Sequence, residues 1–275
     1  VIEWLGEEQK TGQLLAERIK NGDGIRVRLH LCKSAGDVLA ALQWAADFAA
    51  SDGQIPVVHI EAHGIPPGGV TQTSPGLIGP DGHGGEEELA WSVIAPYLRQ
   101  LNLLTDFRLM VVGAACYSLA SLNMFELSKM APFALIVGFD SPVDSGRLLK
   151  AMREFYRTMF GSNPDVPQSL INARAELWQG EGERLQGTVF HWFATSMVER
   201  LVYDEFAPAH RASHTLHLAR CFLECGKALS LTEVEVHYAK TVRDHVNKLV
   251  AVWFAYDVLP DNRRRFPLDV ARIMD

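Results

Sequence analysis

Arg108-Leu109-Met110-Val111-Val112-Gly113-Ala114-Ala115-Cys116-Tyr117-Ser118 decides how this chain reads. Its front half is a short apolar run, the pattern of a strand buried on both faces of a sheet. Gly113-Ala114-Ala115 then removes bulk, and a thiol follows where the strand should end. Open α/β sheets carry their chemistry at the carboxyl ends of strands, so Cys116 is placed to react. Ile55-Pro56-Val57-Val58-His59-Ile60-Glu61-Ala62-His63-Gly64 has the same design and ends in His-Gly. His63 and Cys116 are 53 positions apart, room for one helical crossover between parallel strands. Two such strands deliver an imidazole and a thiol to one sheet edge, as a cysteine–histidine dyad.

Working outward, Val1 to Trp4 reads as the tail of a first strand, followed by a helix carrying Leu14, Leu15 and Ile19 and a turn at Asn21-Gly22-Asp23-Gly24. Ile25 to Leu31 alternates strictly and reads as a half-exposed strand near the sheet edge. Ser34 to Ala50 reads as a helix capped by Ser34 or Asp37 and ended by Ser51-Asp52-Gly53. The Gly- and Pro-rich stretch from Ile65 to Gly85 reads as a loop, with a turn of a small hairpin at Gly79-Pro80-Asp81-Gly82. Glu86 to Leu101 predicts a helix with an acidic first turn, Pro96 late in it and Arg99 in its last turn. Leu119 to Met130 predicts another helix, and Ala134 to Asp140 a third buried strand. Helices over Val143 to Phe160 and Val166 to Leu177 follow.

Alternating strands and helices predict a three-layer α/β/α sandwich around a mostly parallel sheet. Beyond about Glu199 strand signals stop, so residues 1–198 are expected as the α/β domain and 199–275 as a helical extension or subdomain. The basic stretch Asn262-Arg263-Arg264-Arg265-Phe266 reads either as a solvated tail or as a protein or nucleotide contact.

The chain has 275 residues, 48% hydrophobic and 21% charged, enough for a sizeable core. A net charge of −7 argues against a nucleic-acid-binding surface. No apolar run approaches the ~20 residues that span a bilayer, and Val1-Ile2-Glu3-Trp4 lacks the basic region of a signal peptide. The absent initiator Met leads us to expect a piece of a longer protein. Four cysteines, Cys32, Cys116, Cys221 and Cys225, are too sparse for a disulfide framework and point to a reducing cytosol. His59, Glu61, His63 and His83 do not complete a metal set, so no metal and no cofactor are expected.

Four stretches, taken together, resemble the caspase-like cysteine peptidases, and most closely their bacterial CHAT-domain branch. They are Val58 to Gly64, Val111 to Ser118, Gly138 to Asp144 with its following helix through Phe155-Tyr156 and Phe160-Gly161, and Val166 to Arg174. The caspase pattern also has its His about 50 residues before the Cys. Ala114-Ala115-Cys116-Tyr117-Ser118 stands where caspases have Gln-Ala-Cys-x-Gly, and Ala114 where metacaspases have Asp, so neither family's specificity carries over. The resemblance implies a cytoplasmic cysteine endopeptidase acting on protein substrates, regulated by a sensor domain or partner protein in bacterial defence or stress. It implies Cys116 as nucleophile, His63 as proton donor to the leaving amine, and backbone N–H groups of Gly64 and Cys116 as the oxyanion hole. Asp140, Glu61 and Tyr117 are candidate pocket residues. Asp140 faces a basic substrate side chain, or else Asp140, Ser141 or Asp144 caps the following helix; Glu61 orients a partner or lines the pocket, or else is solvated or salt-bridged. Two further readings stay open, a non-catalytic caspase-like binding module and, more remotely, a nucleotide-binding α/β domain. The second lacks a Gly-rich phosphate loop after a strand.

Overall fold

Parallel strands separated by helices build the sheet in the computed structural model, which describes residues 1–6, 9–22, 25–68, 74–177, 180 and 182–274. Ile2–Trp4 is β1, Thr11–Gly22 is α1, His30–Leu31 is β2 and Ala35–Asp52 is α2. Val57–Ile65 is β3, and Gly76–Pro80 (β4) and Glu86–Ala90 (β5) form a hairpin before α3, Trp91–Leu104. Met110–Ala114 is β6, Leu135–Phe139 is β7, and Ser145–Met159 and Val166–Ala175 are α4 and α5. Leu185–Val189 is β8, followed by α6 (Phe190–Phe206), α7 (Pro208–Glu224) and α8 (Leu231–Trp253).

The strand order is β2-β1-β3-β6-β7-β8, parallel throughout except for β8, with the β4–β5 hairpin continuing antiparallel from the end of β3. Helices α2 and α3 pack together on one side, and α1, α4 and α5 on the other. The fold is thus a three-layer α/β/α sandwich. All five residues of β6 are buried, as a central parallel strand requires. Met110, Val112 and Ala114 share a core with Leu148, Met152 and Phe155 of α4.

Local chemistry sets the element ends. Ser34 caps α2 by accepting from Asp37 N–H, and Gly53, at φ 63°, closes that helix in the left-handed region. Asp144 and Asp165 cap α4 and α5 in the same way.

Several elements differ from the sequence reading. The expected strand over Ile25 to Leu31 pairs only at His30 and Leu31, though it does sit at the sheet edge. At the expected turn, α1 runs through Gly22, and Asp23 and Gly24 lie outside the described residues, as do residues 69–73 of the following loop. No helix starts at Glu86. The Asp81 carboxylate accepts from His83 and Gly85 N–H at 2.7 and 2.9 Å, closing a turn that sends Glu86–Ala90 back along β4. Helix α3 therefore starts at Trp91, with Pro96 in its first half and Arg99 buried, donating to Met124 O and Glu126. The expected helix from Leu119 to Met130 is only a 3₁₀ segment, Ser118–Met124.

The chain divides into two compact units, residues 1–126 with 131–190, and residues 127–130 with 191–275. The expected boundary at 198/199 falls inside α6, so the division lies earlier than the sequence suggested. In the second unit α8 buries Val234, Tyr238, Val242, Val246, Val250 and Trp253 along one face. Ser230 and Glu233 form a reciprocal capping box at its start. The Arg263–Arg265 stretch is folded as a short helix, with Arg263 over the Tyr256 ring and Arg265 over Phe266.

Candidate active site

The β3–β6 ladder runs from Val57↔Met110 to Glu61↔Ala114, and every pair in it is 53 positions apart. His63 and Cys116 have the same offset, and both lie just past the last pair of that ladder, at its carboxyl end: His63 still in β3, where it pairs with Ile78 of β4, and Cys116 in the turn after β6. Side chains alternate along a strand. His63 therefore shares a face of β3 with His59 and Glu61, the face on which His59 meets Tyr156 of α4, while Cys116 lies in the turn two residues past Ala114, the last residue of β6. Backbones also touch here. A Cβ on Gly64 would lie 1.6 Å from the Cys116 carbonyl oxygen, so only glycine fits.

Cys116 is half-buried, and its Sγ accepts from Val143 N–H at 3.4 Å. Val143 immediately precedes Asp144, the cap of α4, so the sulfur sits at the amino end of that helix. The thiol in turn donates to Val143 O at 3.9 Å, so both main-chain groups of Val143 engage the sulfur. His63 is exposed, and among the described residues no hydrogen bond joins its side chain to Cys116, while its backbone belongs to the β3–β4 ladder opposite Ile78. Tyr117 lies in the left-handed region at φ 54°, an unusual place for a side-chain-bearing residue, and its N–H donates to Ser141 O at 3.3 Å. Strain of about 1 kcal/mol or more at such a position is commonly held at functional sites. Here it turns the chain sharply after Cys116.

Ser118 completes the turn, and sequence reasoning missed it. β6 and β7 pair only as far as Val112↔Val137. Beyond that the Ser118 hydroxyl bridges the strands, donating to Gly113 O at 2.7 Å and accepting from Phe139 N–H at 2.9 Å. A Cβ on Gly113 or Gly138 would come within 2.6 Å of this side chain, which explains two glycines in adjacent central strands. Ser118→Ala leaves a buried N–H without an acceptor and is expected to cost about 1–3 kcal/mol. Urea unfolding measures that cost, and faster hydrogen exchange at Phe139 locates it.

The other candidates separate. Glu61 does not open onto the cleft. It is 0% exposed, bonded to His59 Nε2 at 3.0 Å and to the Thr11 hydroxyl, while His59 Nδ1 meets Tyr156 OH at 2.9 Å. Burial, with the Glu61 charge nearby, pushes the Tyr156 phenol well above its ordinary range. Asp140 is exposed at the end of β7, accepting from Ser141 Oγ and Gln186 Nε2 at 2.7 and 3.1 Å, so its partners are neutral. Of the three cap candidates, Asp144 caps α4. His83 sits at an exposed hairpin tip.

Among the described residues no group of three His, Cys, Asp or Glu is gathered to hold a metal, and no helix is long and apolar enough to cross a membrane. Burial pushes the Cys32 thiol up to about 12. Comparisons of the chain with protein-family models, with curated proteins and with solved structures return no match.

Proposed function

We propose that this chain is a cytoplasmic cysteine endopeptidase of the caspase-like kind, cutting protein substrates with a Cys116–His63 dyad. The observation that supports it most is that His63 and Cys116 both follow the last pair of the β3–β6 ladder, at its carboxyl end, where the backbones of Gly64 and Cys116 meet. The Cys116 thiolate attacks the scissile carbonyl carbon, and N–H groups of Gly64 and Cys116 take the oxyanion. His63 protonates the departing amine, leaving an acyl-enzyme, and then accepts a proton from the water that hydrolyses it. Asp140, exposed and with neutral partners, suits a basic residue on the substrate's acyl side. A sensor domain or partner protein that brings the dyad together, in bacterial defence or stress, is the regulation the family resemblance suggests.

The alternative is a non-catalytic binding module. It is favoured by one observation, the Cys116 sulfur engaged by Val143 N–H with no hydrogen bond to His63.

Intact mass after treatment with peptidyl chloromethyl ketones of varied P1 separates the two. Wild type is expected to gain one adduct, Cys116→Ala none, and His63→Ala an adduct at least 100-fold more slowly, in the usual range for losing an acid–base group. Cys32, with its thiol held near 12, stays unmodified. Wild type that gains no adduct, even with candidate partners added, supports the binding module.

A further inference from the structure

The opposite edge of the sheet holds a cavity that the proposed chemistry does not use. It lies at the amino ends of β1 and β3 and measures about 520 Å³, within the size range of small-molecule sites. Its deep wall contains His59 and Tyr156, which are hydrogen-bonded to each other at 2.9 Å. The second nitrogen of His59 is taken by Glu61. Those inner polar atoms are therefore already partnered, and what enters that end must be apolar. Ile19, Val57 and the exposed Phe160 add to the apolar lining.

The mouth is different. Arg26 and Arg28 are exposed and line it, and neither has a carboxylate partner among the described residues. The Arg28 guanidinium lies 5.0 Å over the Trp44 ring, which stacks on Phe48 at 5.2 Å and meets the His30 ring at 4.9 Å. His30 Nε2 is buried and has no hydrogen-bond partner, an atom that a bound group would satisfy. No Asp or Glu is among the described residues that line the cavity, although the chain as a whole carries a net charge of −7. An aromatic wall, an apolar floor and two cations with no carboxylate partner among the described residues select for one ligand chemistry.

We propose that this cavity binds an amphipathic aromatic anion, its planar body against Trp44 and Phe48 and its carboxylate, sulfonate or phosphate held by Arg26, Arg28 and His30. The site is independent of Cys116 and of any peptidase activity.

Fluorescence titration with 8-anilinonaphthalene-1-sulfonate tests this, beside the neutral N-phenyl-1-naphthylamine. The wild-type chain is expected to bind one equivalent of the sulfonate saturably. Arg26→Glu with Arg28→Glu lowers sulfonate affinity at least tenfold and leaves the neutral probe unchanged, since both side chains are on the surface. Ala45→Phe, which fills the cavity from α2, removes both signals while circular dichroism reports an intact fold. If Ala45→Phe does not fold, the charge-reversed pair decides alone. Charge-reversed protein that binds the sulfonate as tightly as wild type overturns the proposal. So does folded Ala45→Phe with undiminished, one-equivalent binding.

Discussion

Gly64→Ala is expected to leave a folded sheet whose Cys116 no longer reacts with a peptidyl chloromethyl ketone. The added Cβ would lie 1.6 Å from the Cys116 carbonyl oxygen and 2.6 Å from its carbonyl carbon. Both are main-chain atoms, so no side-chain rotation relieves the clash, and the ends of β3 and β6 must move apart. Overpacking a site like this costs about 1–3 kcal/mol, and more where backbone must yield. The ladder from Val57↔Met110 to Glu61↔Ala114 stays in place to hold the rest of the strand. Displacement by about 1 Å is enough to slow chemistry on the order of 100-fold when two groups must meet. We expect the chloromethyl ketone rate at Cys116 to fall at least that far, while iodoacetamide, which needs only access to the sulfur, reacts within a few-fold of its wild-type rate. An unchanged chloromethyl ketone rate would show that the close approach of the two strand ends has no part in the chemistry.

The same contact shows why the site was legible in outline. A strand buried on both faces announces itself as a continuous apolar run, as Met110–Ala114 and Leu135–Phe139 do, while Val57–Ile65 carries His59, Glu61 and His63 between its apolar residues. The interval of 53 positions leaves room for one helical crossover, and β3 and β6 are indeed parallel neighbours whose pairs, Val57↔Met110 to Glu61↔Ala114, are 53 apart. Caps were equally readable: Ser34 and Gly53 do what their side chains, or lack of one, favour. Where the reading failed, a local signal was outweighed by a partner distant in sequence. Glu86 to Glu88 look like an acidic helix start, but β4 lies ready to pair with them once Asp81 has closed the turn. β8 was missed because Leu185-Gln186-Gly187-Thr188-Val189 is short, half-polar and interrupted by glycine. Only β7, reached from far along the chain, makes it a strand. Ser118 had no signature of its own, since its role depends on two glycines in two different strands.

Glu61 carries the second large effect, and it concerns position, not chemistry. Two residues before His63, its carboxylate is fully buried between His59 and the Thr11 hydroxyl, so β3 is tied to α1 there and through Tyr156 to α4. Removing one member of a buried pair strands the other, and we expect Glu61→Ala to destabilise the protein by about 3–5 kcal/mol in urea unfolding. Glu61→Gln keeps the shape and one acceptor, so about 1–3 kcal/mol is expected. Tyr156→Phe removes one hydrogen bond to a ring nitrogen and should cost about 1 kcal/mol. Replacing both partners, His59→Leu with Glu61→Met, leaves no stranded polar group on β3, only the Thr11 hydroxyl of α1 and the Tyr156 hydroxyl of α4, and should recover part of the Glu61→Ala loss. A network that only positions β3 predicts that this double variant, once folded, still alkylates at Cys116 within a few-fold of wild type. A double variant as stable as wild type but unreactive at Cys116 would instead make the His59–Glu61 charge itself part of the chemistry.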